Sequence, residues 1–321
     1  MYLVFDVGGT FIKYAWMTKD GDILEKSKIK TPVAFDNTVD DFIKTIRQVY
    51  LEYKEKGEVE GIAMDLPGQV DVKRGFVYLG GSVHYIRHMF IADMVSNACD
   101  GVRVTLENDA KAAALAEVWL GNAKGMKDAV VMVLGTGVGG GVIIDGKVHH
   151  GFGMLAGEFS YIPAHIDRAR VDSLVCMDQF KTVEEVMMHN IPVASDYMSL
   201  SALCYRASVI KGVPRSEISG ELIYKWAAEG DREMNGLLED MYFEIAKMCL
   251  SLYLVVNPEV ILLGGGISSN PLFVEGVSKY IEKLKVLSHI FDDIKIDTCK
   301  FNNDSNLYGA LYNYMQIYTD I

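Results

Sequence analysis

Short apolar runs punctuated by glycine open the chain. Tyr2 to Asp6, Phe11 to Met17 and a third run ending at Ile29 are separated by Gly8-Gly9-Thr10 and by Asp20-Gly21, the spacing of strands joined through tight turns. The order returns further on. Val130 to Leu134, the glycine run Gly135 to Gly141, Gly141 to Ile144, Asp145-Gly146 and Lys147 to His149 predict a second set of three strands. A repeated βββ unit implies two similar halves.

Between these sets the period changes. Val39, Phe42, Ile43, Ile46, Val49, Tyr50 and Tyr53 recur at helical spacing behind Thr38, an N-cap residue type. Gly61 to Leu66 and Val102 to Glu107 read as buried strands, and Ala110 to Trp119 as a helix. In the second half, Leu237, Leu238, Met241, Ile245, Met248, Cys249, Leu252 and Val256 mark one long helix that stops before Asn257-Pro258. Val260 to Leu263 is the strand after it, with Gly264-Gly265-Gly266 as its turn. A last helix, about Leu307 to Tyr318, is expected to pack back onto the first half. The pattern is an α/β fold of duplicated βββαβαβα units with a cleft between two lobes, residues 1–119 plus roughly 303–321 and residues 120–302.

With 321 residues, half of them hydrophobic, the chain has ample core for two domains. A formal charge of −12 and no clustering of Lys and Arg disfavour a nucleic-acid surface, so no nucleic-acid partner is expected. Neither a secretory signal nor an apolar run of membrane-spanning length is present, so a cytoplasmic enzyme without a membrane partner is expected. Cys99, Cys176, Cys204, Cys249 and Cys299 never form C-x-x-C and read as reduced thiols acting as small hydrophobes.

Asn108-Asp109 is the pair that carries chemistry. It stands after a strand and opens a helix, where ligands gather in open α/β sheets. Asp109 suits two roles, N-cap or base for a substrate hydroxyl attacking phosphorus. Gly135-x-Gly137-x-x-Gly140 matches a dinucleotide fingerprint, but a strand follows where that fingerprint needs a helix, and no Gly-Lys-Ser/Thr closes any loop. What remains is phosphate binding by backbone N–H groups in hairpin turns, with positive φ allowed by glycine. Asp6 at the start of such a turn is placed to hold Mg²⁺ through water.

Glu158, in Gly157-Glu158-Phe159, reads either as a loop acid or as a ligand. His84 and His88, four residues apart, and His149-His150 lack any zinc-protease context. The charges of Lys225 to Glu233 read as a solvated helical surface.

Taken in order, Asp6-Val7-Gly8-Gly9-Thr10 with Lys13, Pro67-Gly68, Glu107-Asn108-Asp109-Ala110, Leu134 to Gly141, Gly157-Glu158 and Asn257-Pro258-Glu259 before Gly264-Gly265-Gly266-Ile267 resemble the ROK family. Its members are sugar kinases or sugar-responsive repressors of the actin-like, ribonuclease H-like superfamily. The resemblance spans nearly the whole chain. It implies Asp109 as catalytic base and Asn108, Glu158 and Pro67-Gly68 as sugar-binding residues. Gly8, Gly9, Thr10, Lys13, Thr136 and Gly137 would hold ATP phosphates, Asp6 would serve Mg²⁺, and Gly265 and Gly266 would lie along the adenosine. A homodimer is also implied.

One departure is large. Tyr161 stands where the family has a zinc-ligand His, and the only cysteine near the family's cysteine segment is Cys176, in a stretch of about 168–193 that reads as an insertion. No structural zinc is expected. Ser195 or Asp196 falls near the sugar-binding Glu of the lost segment. Gly80-Gly81 before Ser82, with Tyr161 after Glu158, looks most like bacterial β-glucoside kinases, which implies transfer to the 6-hydroxyl of a hexose or β-glucoside. Gly81, Tyr161 and Asp196 join the expected sugar site. The alternatives are a sugar-responsive transcription regulator, which the acidic charge and the absence of a DNA-binding segment ahead of Tyr2 disfavour, and a sugar-binding regulatory protein without turnover, which the intact Asp109 disfavours.

Overall fold

A computed structural model describes residues 1–174, 192–301 and 304–319. Most of the expected insertion, Cys176 included, lies outside them. The chain forms β1 (Tyr2–Val7), β2 (Phe11–Met17), β3 (Ile23–Lys30), α1 (Val39–Lys56), β4 (Gly61–Leu66), β5 (Gln69–Asp71), β6 (Phe76–Leu79), β7 (Arg87–Met89), α2 (Ile91–Ala98), β8 (Val104–Asn108) and α3 (Asp109–Trp119). Then come β9 (Ala129–Leu134), β10 (Val138–Ile144), β11 (Lys147–Val148), α4 (Ser195–Met198), α5 (Leu200–Lys211), α6 (Gly220–Ala228), α7 (Arg232–Val256), β12 (Val260–Gly264), α8 (Pro271–Leu284), β13 (Ile296–Thr298) and α9 (Ser305–Tyr318).

Two units emerge. The first comprises Met1–Gly125, Gly146–Ala156 and the C-terminal stretch with α9; the second comprises Met126–Asp145 and the chain from Gly157 through β13. The excursion Gly146–Ala156, which the sequence assigns to the second lobe, therefore clusters with the first.

The duplication is real at the level of topology. One sheet runs β3-β2-β1-β4-β8 and the other β11-β10-β9-β12-β13. In each, a hairpin strand pairs antiparallel to the first strand (β1 with β2, β9 with β10), and the next two strands run parallel to it. Asp145 and Gly146, at φ 51 and 75, form the tight turn that their sequence signals.

Alternation along the parallel strands of the first unit sorts side chains to two faces. Leu3, Phe5, Val7, Ile62, Met64 and Leu66 pack with Phe42, Ile46 and Tyr53 of α1 and Ile91 and Val95 of α2. Tyr2, Val4 and Ala63 pack with Leu307, Ala310, Leu311 and Tyr314 of α9. The last helix thus packs on the first unit, the placement expected for it, which its periodicity alone does not show. Its Gly309 leaves no room for a side chain, since a Cβ there would sit 1.7 Å from the Ala112 carbonyl oxygen of α3.

Two expectations about local structure are corrected. The glycine run is mostly strand, because β10 begins at Val138 and only Gly135 to Gly137 turn. A Cβ on Gly140 would meet the Val131 carbonyl oxygen at 2.0 Å and the Phe159 ring at 2.6 Å, so packing selects glycine there. Lys225 to Glu233 is a junction rather than one helical surface, since α6 ends at Ala228 and α7 starts at Arg232. Asp231 caps α7 by accepting from Glu233 N and Met234 N, and it pairs with Lys211.

Candidate active site

The carboxyl ends of β1, β4 and β8 gather the first unit's candidate residues. Register places Asp6 beside Asp65 and Asp65 beside Glu107, one row of acids across three parallel strands. Leu66 pairs with Asn108 in the next row, and the chain then turns at Pro67-Gly68 and enters α3 at Asp109.

Asn108, not Asp109, caps the helix, its Oδ1 accepting from Lys111 N at 3.0 Å. Its Nδ2 donates to Gly68 O and to Asp109 Oδ1, both at 3.0 Å. Ala110 N donates to the same Asp109 oxygen at 2.8 Å. Asp109 is therefore released from the capping role and its carboxylate orientation is fixed by its neighbours. Gly68 has φ 101, and a Cβ would lie 2.0 Å from Leu79 O, so only glycine allows this turn to approach β6. Gly81 packs on Pro67, 3.0 Å from its would-be Cβ. Five sequence-predicted sugar residues, Pro67, Gly68, Gly81, Asn108 and Asp109, are thus brought together.

The Gly8-Gly9-Thr10 turn ends β1. Neither glycine has positive φ, contrary to expectation. Space is what they supply: a Cβ on Gly8 would sit 3.1 Å from Phe11 O and one on Gly9 2.9 Å from Ser82. Gly8 N donates to Phe11 O, so this amide closes the turn, and Thr31 Oγ1 donates to Gly8 O. Lys13 reaches back to Asp6 at 2.9 Å.

Asp65 is a residue that pattern reading missed. It is fully buried, and Asn306 Nδ2 of α9 bridges it to Asp6, at 3.4 Å and 3.3 Å. Burial first, then the charges of Asp6 and Asp109, hold its carboxyl well above the usual range. Its Oδ2 has no hydrogen-bond partner. The available signal was a single acid inside an otherwise apolar six-residue strand. An all-oxygen set of Asp6 and Asp65 suits a hard cation such as Mg²⁺.

His150 was also missed as a partner. Its Nε2 lies 2.9 and 3.1 Å from the two carboxylate oxygens of Glu107, which is wholly buried. The other histidine pair is not helical: His84 is in a turn and His88 in β7 at φ 53. Among the described residues no group of three or more His, Cys, Asp or Glu is placed to hold a metal ion.

In the second unit, β9 and β12 run parallel with Gly264 beside Val133, so the turns that follow are neighbours. Gly265, at φ 93, brings its backbone against Leu134 O, where a Cβ would intrude at 2.1 Å. Nothing lies within 4 Å of a Cβ on Gly266, and Thr136 is exposed. Gly137 touches Ser160, whose Oγ accepts from Val138 N at 2.8 Å. The Gly157-Glu158 turn is clamped to β10 by Gly157, at φ 88 against Gly140 O, and by buried Phe159. Glu158 and exposed Tyr161 therefore flank Phe159 and Ser160, which touch β10 and the Gly137 turn, with Tyr161 N donating to Glu158 O. Of the two residues offered for the lost Glu, Ser195 is the one beside Gly137, its Oγ 3.8 Å from a would-be Cβ. Asp196 is buried instead along a cavity of about 360 Å³ with Tyr205, Arg206 and Leu237.

Two sheets of one strand order, with glycine turns at the carboxyl ends of their parallel strands, define an actin-like α/β protein of two lobes. The chain belongs to the ROK family, whose sequence pattern matches residues 2–316. It is 28% identical over 312 residues to a beta-glucoside kinase of Listeria monocytogenes, covering 97% of this chain and 96% of that protein. It resembles the crystal structure of a ROK family protein from Streptococcus pneumoniae in complex with sucrose (TM-score 0.82, 30% identity, 98% of each chain). A ROK family glucokinase from Streptomyces griseus, in complex with glucose and AMPPNP, also matches (TM-score 0.76, 25% identity, 97% of each chain). No described helix is long and apolar enough to cross a membrane.

Proposed function

We propose that the chain is an ATP-dependent sugar kinase that transfers the γ-phosphoryl group to the 6-hydroxyl of a hexose or β-glucoside. The observation that carries this is Asp109 at the carboxyl end of β8, relieved of capping by Asn108 and held through Oδ1 by Asn108 Nδ2 and Ala110 N. Kinship to a beta-glucoside kinase, and to a glucokinase crystallised with glucose and AMPPNP, supports the same reaction class.

Asp109 accepts the proton of the sugar hydroxyl as it attacks phosphorus, while Asn108, Glu158 and the Pro67-Gly68 turn orient the ring. The Gly8-Thr10 and Thr136-Gly137 turns hold phosphates, with Lys13 supplying positive charge, and Gly265-Gly266 lies along the adenosine. Mg²⁺, when bound with ATP, neutralises charge on the phosphates; Asp6 and Asp65 are the oxygens that would hold it. A cytoplasmic homodimer belongs to the same reading.

The test is ADP release across a panel of sugars. Turnover is expected on β-linked glucosides, with glucose as the monosaccharide substrate. Sugar binding without ADP release from any member would replace the kinase with a sensor.

A further inference from the structure

Glu107 and His150 form an arrangement that the kinase chemistry above leaves unused. Glu107 precedes the Asn108-Asp109 pair and is wholly excluded from solvent. A carboxylate so placed is costly unless donors fill its lone pairs. Two do so: Asn108 N donates to Oε1 at 2.8 Å, and His150 Nε2 donates across both oxygens at 2.9 and 3.1 Å. The carboxylate thus grips the peptide N–H at the residue whose side chain caps α3 and holds both Gly68 O and Asp109 Oδ1. Tilting Glu107 would move that peptide, and with it every bond Asn108 makes.

The histidine has a second attachment. Its carbonyl oxygen accepts from Ala156 N at 3.2 Å and closes the loop of residues 150–156. Within that loop Gly153 O accepts from Gln69 Nε2 at 2.6 Å, and Gln69 follows Pro67-Gly68 directly. Met154 takes φ 61, a conformation disfavoured for a side chain of its size, so the loop needs such ties to keep its shape. Beyond Ala156 the chain enters Gly157-Glu158. The segments 67–69 and 107–109 and the loop leading to Glu158 are therefore tied together through His150 and its loop, the imidazole holding Glu107 and the loop backbone holding Gln69 and Ala156.

We propose that His150 is a positioning residue for Asp109 and for the loop leading to Glu158, acting through the buried carboxylate of Glu107. It touches neither reacting atom. Its contribution is a fixed Nε2–H at the end of the chain His150, Glu107, Asn108, Asp109. This rests on the kinase reading for its catalytic consequence but not for its structural one.

The test compares His150→Ala, His150→Phe and His150→Gln in the full-length protein by steady-state kinetics and by amide hydrogen exchange of the segment 104–115. Phenylalanine fills the ring's space without a donor, whereas glutamine offers an amide donor near the Nε2 position. Alanine and phenylalanine are expected to lower kcat/KM for the sugar by about tenfold or more, within the range that small misplacements cost, with KM for ATP unchanged. Both should speed exchange at 107–111, and glutamine should restore both readouts. Equal rescue by phenylalanine would mean that the ring only fills space and would overturn the proposal, as would wild-type kinetics and exchange in the alanine variant. If the wild-type protein phosphorylates no sugar, the kinase reading falls, and the exchange comparison alone decides the role of His150.

Discussion

Asp65 sits in an environment that opposes its charge. It is sealed from solvent next to Asp6, and Asn306 supplies a weak donor to each. Because its folded value is raised above the unfolded one, the native chain holds a proton there that the unfolded chain gives up. That contribution to stability is complete below the unfolded value and is lost as pH rises through the folded value. Asp65→Asn, which keeps an acceptor for Asn306, should therefore raise the melting temperature at pH 7 in nucleotide-free, magnesium-free buffer. Thermal melts at pH 4.5 and pH 7 measure this, at about 2–4 °C for each kcal/mol relieved. The gain should shrink at the lower pH; a lower melting temperature at pH 7 would show the carboxylate to be stabilised in a way that burial denies. Such residues were hard to read from the chain. A lone acid in a strand, or a histidine whose partner Glu107 lies 43 positions away, has no local pattern, and only register across β1, β4 and β8 aligns them. The Asn108-Asp109 pair stands out in sequence because a strand end and a helix start meet at these two positions.

Secondary-structure elements are the easiest part to anticipate. Strands β1, β2 and β4, the hairpin turns at Gly21 and at Asp145-Gly146, and the end of α7 at Asn257 in the left-handed conformation all follow from local preference. The glycine run misled because its residues serve packing, with Gly140 making room for Phe159 and for its neighbour strand. The same logic governs α9. Gly309→Ala should destabilise the first unit by about 1–3 kcal/mol or more, because a methyl group would be driven into the Ala112 carbonyl of α3. Gly236→Ala, at an exposed position in the second turn of α7 with nothing within 4 Å of the new carbon, should stabilise by roughly 0.5–1 kcal/mol. Chemical denaturation of both variants checks the contrast. Equal effects would mean that α3 and α9 are not in close contact.

At the scale of the molecule, a duplicated topology sets out the labour. The first unit presents Asp6 and the Gly8-Gly9 turn on β1 and the Asn108-Asp109 pair on β8; the second presents the Thr136-Gly137 and Gly265-Gly266 turns on β9 and β12. Phosphoryl transfer asks mainly for position and electrostatics, which suits a frame of turns at strand ends with one carboxylate as base. In the proposed reaction Asp109 takes the hydroxyl proton. Asp109→Asn keeps the acceptor for Asn108 Nδ2 and Ala110 N, so folding and sugar binding should persist. Steady-state turnover with a β-glucoside and ATP should fall by about a hundredfold or more, with a wild-type melting temperature and little change in KM. Turnover equal to that of the wild type would contradict the assignment outright.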